Sequence, residues 1–331
     1  MYDRILVPTD GSDHAVRAAE HARYLADAFD ATVHVISVVD VQEAAGPFSA
    51  GGVDESFVAR LEADARATID EIEALGDGGV PIEATVGKGE PTAAILAYAD
   101  DHDIDLLVMG THGRRGLRRL IAGSVTERVV RTADVPVITV SATERSRVDG
   151  GYDELLLPTD GSEPATAAVD HGLAIAERAS ARVHAVNVVD VGALTPGPEY
   201  APSTKVRAHL EAAGEAATEA VAARARDRGL DVVTAVETGV PARALLAYAD
   251  EHDVDVVTMG TRGRTGLSRY VLGSTAGSGD PGRRGSGALD QRPGPRDRGV
   301  GLNGYATTDR TEPPVNVTAP CSHRRPGTTC R

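Results

Sequence analysis

Cysteine is scarce and poorly placed for a structural role. The 331 residues hold two, Cys321 and Cys330, both in the last dozen positions. Nothing around them has the spacing of a zinc site or of a disulfide-framed domain. Lysine is nearly missing as well: Lys88 and Lys205 are the only two of the 34 basic residues, leaving 32 arginines. No apolar run is long enough to span a bilayer, and the N-terminus lacks a basic-then-apolar leader pattern. The expectation is a soluble, cytoplasmic chain with no membrane partner. Familiar catalytic patterns are absent too. "VGKGE" lacks the G-K-[ST] ending of a Walker A loop, and there is no G-x-S-x-G elbow, H-E-x-x-H helix or paired C-x-x-C.

Positive charge is also short. The formal net charge is −15. Residues 277–331 carry nine Arg and five Asp or Glu, a net of +4, so residues 1–276 carry −19. Nonspecific nucleic-acid binding needs a basic surface, so no nucleic-acid partner is expected. An acidic, Lys-poor surface suits a high-salt cytosol; a GC-rich genome with a solvated acidic surface accounts for it equally well.

What is present is a repeat. "YDRILVPTDGS" begins at Tyr2 and "YDELLLPTDGS" at Tyr152. "VHVISVVDV" at Val33 returns as "VHAVNVVDV" at Val183, and "LAYADDHDIDLLVMGTHGRRGL" at Leu96 returns as "LAYADEHDVDVVTMGTRGRTGL" at Leu246. Each pair is offset by 150 residues. The chain reads as one domain at 1–140, a polar linker at 141–151, a second copy at 152–276, and a tail at 277–331.

Inside each copy strand and helix patterns alternate. Ile5–Val7 is a β-branched, apolar run ending at Pro8. From Ser12 onward, Ala15, Ala18, Ala19, Ala22, Leu25 and Ala26 recur at helical spacing. Val33–Val39, Ile82–Val86, Ile104–Met109 and Val135–Val140 read as further strands. Helices are expected from about Asp54 to Leu75, from Pro91 to Asp101, and from Ser124. This βαβα order predicts an α/β fold with a parallel sheet covered on both faces.

Ligands of open α/β sheets sit beyond the carboxyl ends of the strands, where the strand order reverses. Pro8-Thr9-Asp10 and Val38 fall at such ends. So does "VMGTHGRRGLRRLIAGS", which runs from a strand into a helix at Ser124. Glycine lets the backbone approach an anion closely, and a helix N-terminus offers unpaired N–H groups and partial positive charge. Phosphate is the natural guest. Arg114, Arg115, Arg118 and Arg119 add charge; the second copy keeps Arg262, Arg264 and Arg269. The simpler reading is that these glycines only make tight turns. The aspartates have a simpler reading too, as helix caps, and Asp10 is able to do both.

The spacing Gly110, Gly113, Gly123-Ser124, with "ILVPTDGS" and "GSVTERVVRTADVPVITV", resembles the universal stress protein family over nearly all of residues 1–276. The resemblance implies tandem Rossmann-like domains with five-stranded parallel sheets of order 3-2-1-4-5. It implies ATP, with or without Mg2+, at the reversal between the first and fourth strands. In copy one it points to Pro8, Thr9, Asp10, Val38, Met109, Gly110, Gly113, Gly123, Ser124 and Val125. In copy two it points more weakly to Pro158, Thr159, Asp160, Val188, Met259, Gly260, Gly263, Gly273, Ser274 and Thr275. Asp10 and Val38 would lie at the adenine and ribose, and the glycines, Ser124 and Val125 at ribose and phosphates. The implied role is a stress-response sensor or regulator, paired as a homodimer or within one chain. Catalysis is limited to slow ATP hydrolysis or autophosphorylation; the alternative is a scaffold that holds no nucleotide.

Two further segments need a reading. "DDHDID" at 100–105 clusters carboxylates around His102; a metal site is conceivable, and a solvated turn between helix and strand is the favoured reading. His112 lies in the Gly-rich loop, but copy two has Arg262 there, which argues against a catalytic histidine. The tail is rich in Gly, Pro and Arg without apolar period and is predicted disordered. Reading the codons of residues 277–289 one base later permits "DRVIRDAEVPVL", in line with "ERVVRTADVPVI" at 127–138, so the tail is read as frameshift-derived. The second domain is then expected to lack its last strand and to expose its fourth as an edge.

Overall fold

Ile5, Leu6 and Val7 are all fully buried. Three consecutive apolar side chains point to alternate faces, so a strand hides them only when both faces of its sheet are covered. They form the centre of β1 (Arg4–Pro8) in a computed structural model that describes residues 1–45, 54–75, 79–111, 124–143, 146–148, 150–190, 204–260 and 315–319.

The first repeat continues with α1 (Asp13–Phe29), β2 (Thr32–Val39), α2 (Val41–Ala45), α3 (Glu55–Glu73) and β3 (Ile82–Lys88). Then come α4 (Pro91–Asp101), β4 (Leu106–Gly110), α5 (Ser124–Thr132) and β5 (Val137–Val140). The second repeat gives β6 (Glu154–Pro158), α6 (Glu163–Ala179), β7 (Arg182–Val189), α7 (Thr204–Asp227), β8 (Val232–Thr238), α8 (Pro241–Glu251) and β9 (Val256–Gly260). Strand order in the first repeat is β3-β2-β1-β4-β5, with every pair parallel. The second repeat supplies four strands in the matching order β8-β7-β6-β9.

One expectation changes. β9 is not an edge, because Val315–Ala319 of the tail forms β10 beside it. β10 runs parallel to β9 and antiparallel to β5, joining the two repeats into one ten-stranded sheet. A five-residue run with two valines and a threonine suits a strand, but its Gly- and Pro-rich surroundings hide it from a compositional reading.

α1 shows why the helices sit so close. Ser12 is its N-cap, accepting a hydrogen bond from the Ala15 N–H at 3.3 Å. Ala15, Ala18, Ala19, Ala22 and Ala26 are buried on one face, so the backbone approaches the sheet with little side chain between. α6 repeats this with Ser162 as cap and Gly172 in place of Ala22. The linker is also held down. Ser146 is buried, its hydroxyl donates to the Ser141 carbonyl, and its side chain accepts from the Thr143 N–H at 3.1 Å.

Candidate functional site at the strand ends

Thr9 and Asp10 organise the turn that leaves β1. The Thr9 N–H donates to the Ile36 carbonyl at 2.8 Å, tying the end of β1 to β2. The buried Thr9 hydroxyl accepts from the Gly11 N–H at 3.2 Å, and Asp10 Oδ1 accepts from the Ser12 N–H at 3.1 Å. Gly11 sits at φ 72°, in the left-handed region that favours glycine. The aspartate is therefore one step ahead of the cap: Ser12 caps α1, and Asp10 closes the turn that presents it. Asp10 stays exposed at the carboxyl edge of the sheet.

The other strand ends converge on the same edge. Pro8 pairs with Ile36 in the β1–β2 ladder, with half-buried Val38 two residues further along β2. Leu6 pairs with Leu107 in the β1–β4 ladder, with buried Met109 and then Gly110 closing β4. Thr126 Oγ1 donates to the Gly110 carbonyl at 2.8 Å, so the first turn of α5, which begins Ser124-Val125, is fastened to the end of β4. The chain moves from β1 outward through β2 to β3, then returns to the other side of β1 for β4, so this edge is the reversal point. The structure thus brings together Pro8, Thr9, Asp10, Val38, Met109, Gly110 and the Ser124-Val125 end of α5. Gly113 and Gly123 lie outside the described residues.

Copy two repeats the turn. Thr159 N–H donates to the Val186 carbonyl at 2.9 Å, Gly161 N–H to Thr159 Oγ1 at 3.2 Å, and Ser162 N–H to Asp160 Oδ1 at 2.9 Å. Pro158, Val188, Met259 and Gly260 hold the matching strand-end positions. Gly263, Gly273, Ser274 and Thr275 lie outside the described residues. Asn187 marks a difference. Its amide donates to the Thr159 carbonyl at 2.7 Å, where copy one has the smaller Ser37.

Gly110 has a packing reason to be glycine. A Cβ there would stand 2.7 Å from the His14 carbonyl carbon and 2.8 Å from the His14 Cβ. A Cβ on Gly260 would likewise stand 2.7 Å from the Pro164 carbonyl oxygen. His14 itself was not legible from the sequence. Its Nδ1 accepts from the Ala142 N–H at 3.1 Å and lies 3.1 Å from Thr111 Oγ1, which in turn lies 3.2 Å from Ser141 Oγ. An Nδ1 that accepts places the neutral ring's proton on Nε2. The repeat gave no signal for His14, because copy two has proline at that position.

The acidic segment before β4 is a working turn. Asp105 Oδ2 accepts from the Asp3 and Arg4 N–H groups at 2.8 and 3.0 Å, and Arg4 Nη1 donates to the His102 carbonyl at 2.9 Å. Asp103 occupies the left-handed region at φ 48°. Asp255 does the same for β6, accepting from Asp153 and Glu154 N–H groups at 2.7 and 3.0 Å. Among the described residues no group of three metal-ligating side chains forms, and no helix is long and apolar enough to cross a membrane.

Residues 1–141 and 151–278 each match the universal stress protein family. A universal stress protein of Methanocaldococcus jannaschii is 37% identical over 146 residues, covering 44% of this chain and 85% of that one. One from Mycolicibacterium smegmatis is 30% identical over 285 residues, covering 82% of this chain and 91% of its own. Among solved structures, a universal stress protein from Archaeoglobus fulgidus shares the fold with a TM-score of 0.58 at 18% identity, over 96% of this chain and 98% of that chain. With two matches in one chain and a sheet of the expected order in each, the chain belongs to the universal stress protein family, in its tandem form.

Proposed function

We propose that the chain is a cytoplasmic stress-response sensor or regulator that binds ATP, with or without Mg2+, chiefly at the strand-end edge of the first repeat. The observation that carries this reading is the meeting of Thr9-Asp10, Val38, Met109-Gly110 and the start of α5 at one reversal point. The donor set suits a nucleotide. The exposed Asp10 carboxylate is an acceptor for ribose hydroxyls, Pro8 and Val38 offer apolar surface for a base, and the N–H groups opening α5 suit phosphate. Gly113 and Gly123 would complete the backbone approach to the phosphates. The chain's own residues supply binding and orientation, and hydrolysis or autophosphorylation is at most a slow side reaction.

The second repeat is the weaker site in this reading. Its Asp160 turn is intact, but the second copy stops matching after Ala276, which itself stands where copy one has Thr126 to fasten helix α5 to its strand. The two repeats work as a pair within one chain rather than as halves of a homodimer.

A scaffold without nucleotide has one observation in its favour: helix packing alone accounts for Gly110 and Gly260 being glycine. Calorimetric titration of ATP into the full chain, beside Gly123→Val, separates the two. One site per chain, lost in the variant, is the expected result. No heat with folded protein and magnesium present would favour the scaffold, and two equal sites would remove the asymmetry between repeats.

A further inference from the structure

Tyr2 of the first repeat and His171 of the second meet at 2.7 Å from phenol oxygen to Nδ1, with rings stacked 5.8 Å apart. Tyr152 and His21 make the same contact at 2.7 Å, with rings 5.7 Å apart. Tyr2 and Tyr152 are 150 residues apart, and so are His21 and His171. Each repeat thus carries both halves of the contact and exchanges them with the other, as a two-fold interface requires. His21, Tyr2 and Tyr152 are buried, and Tyr2, Leu25, Tyr152 and Leu173 belong to one continuous apolar core.

Such an exchange cannot choose its partner, because two first repeats could make it equally well through Tyr2 and His21. Other contacts around these side chains, among the described residues, have no counterpart in the opposite repeat. Phe29 meets the Tyr2 ring edge-on at 4.9 Å, and the Arg178 guanidinium lies 5.5 Å over the Phe29 ring. The equivalent of Phe29 is Ala179, and the equivalent of Arg178 is Ala28. Tyr24 packs edge-on to Tyr152 at 4.7 Å and accepts from the Tyr152 N–H at 3.4 Å, while its equivalent is Ala174. His21 Nε2–H donates to the Ser146 carbonyl of the linker at 2.7 Å, and the linker occurs once.

We propose that this seam is a selective interface whose partner is the other repeat of the same chain: the Tyr–His exchange supplies a contact any two repeats could share, the Tyr24–Tyr152 contact is denied to two second repeats, and the Phe29–Arg178 contact admits only a first repeat against a second. A first repeat facing a first repeat would set Phe29 against Ala28 and lose the cation over its ring. Two second repeats would keep the arginine and lose both aromatic rings. The short linker raises the effective concentration of the right partner, and the one-sided contacts fix which surface it meets. This rests on the reading that the repeats pair within one chain.

Double-mutant cycles on the full chain, read as shifts in thermal midpoint, test both parts. The variants are Tyr2→Phe, Tyr152→Phe, His21→Gln, His171→Gln, Phe29→Leu and Arg178→Gln, with sedimentation for mass. The expected result is a monomer in which Tyr2 couples to His171 and Tyr152 to His21, each double variant losing little more than its worse single. Tyr2 with His21, and Tyr152 with His171, should add. Coupling of Tyr2 to His21 in a dimer of chains would overturn pairing within the chain. Additivity at all four combinations would overturn the exchange. Coupling across the seam with none between Phe29 and Arg178 would leave the pairing and overturn the selection. If His21→Gln does not fold, the half-buried His171 arm still decides the question.

Discussion

Gly110 lies against the backbone of His14 so closely that a side chain at 110 would overlap the first turn of α1. The end of β4 and the start of α1 are thereby locked at the edge where the nucleotide is proposed to sit. Gly110→Ala should therefore cost about 1–3 kcal/mol of stability through overpacking, with or without nucleotide. Gly123→Val should abolish ATP binding. Thermal unfolding of both variants with and without ATP checks the contrast. Loss of binding at Gly110→Ala with unchanged stability would show that glycine's role there is ligand approach.

Thr258 is a buried hydroxyl out of place. It is fully buried on β9, its Oγ1 has no hydrogen-bond partner among the described residues, and the matching residue of the first repeat is buried Val108. An unpaired buried hydroxyl costs about 1–3 kcal/mol, and valine has the same shape without it. Thr258→Val should raise the unfolding free energy by about 1 kcal/mol in denaturant titration. Val108→Thr should lower it by a similar amount. A loss of stability in Thr258→Val would mean that the hydroxyl has a partner.

The repeat made most of this fold legible. Two copies in register fixed the strands twice over, and the continuous apolar runs such as Ile5–Val7 called for a sheet covered on both faces, which is how β1 is buried. Thr9, Asp10 and Gly110 were legible because glycine and capping residues carry local conformational meaning. What stayed hidden was of another kind. His14 takes its partners from residues 111 and 142, a contact with no local signature. Tyr2 and His171 are 169 residues apart, and nothing in either neighbourhood announces the other. The asymmetry at positions 29 and 178 is visible in the aligned copies, but it gains meaning only once the seam brings those positions together.

Acid should loosen the seam. Burial lowers the His21 pKa from 6.5 to about 4, with the nearby Arg17 adding to the shift and the hydrogen bond to the Ser146 carbonyl opposing it. His171 and His34 are also lowered, chiefly by burial. The unfolded chain then binds more protons than the folded one below pH 6.5, so stability is fully present above that value and falls as pH drops toward 4. His21 alone contributes a slope approaching 1.4 kcal/mol per pH unit in that window, roughly 3 kcal/mol in all. Denaturant unfolding between pH 8 and pH 4, compared with His21→Gln, measures it: the variant's curve should be flatter through that range. A wild-type curve that is level from pH 7 to pH 5 would show that His21 titrates alike in both states.

β10 carries the last prediction, because it joins the two repeats from outside either of them. Its register places Val317 opposite Ile138 of β5, with Asn316 facing Thr139 and Thr318 facing Val137. On its other side Asn316 and Val317 face Val257 and Thr258 of β9. Offset by 150, Asn316 takes the place in the second repeat that Val137 takes beside Leu107 in the first, so Ile138 and Val317 straddle the two-fold relation between the repeats. A strand held on both sides should protect its amides from hydrogen exchange, while a tail without structure exchanges freely. Amides of residues 316–319 should exchange many-fold more slowly than those of an unstructured peptide, and Val317→Pro should remove that protection and weaken it at Val256–Gly260. Free exchange at 316–319 in the intact chain would return the tail to the disordered reading and leave β9 as the open edge that the repeat's early end implies.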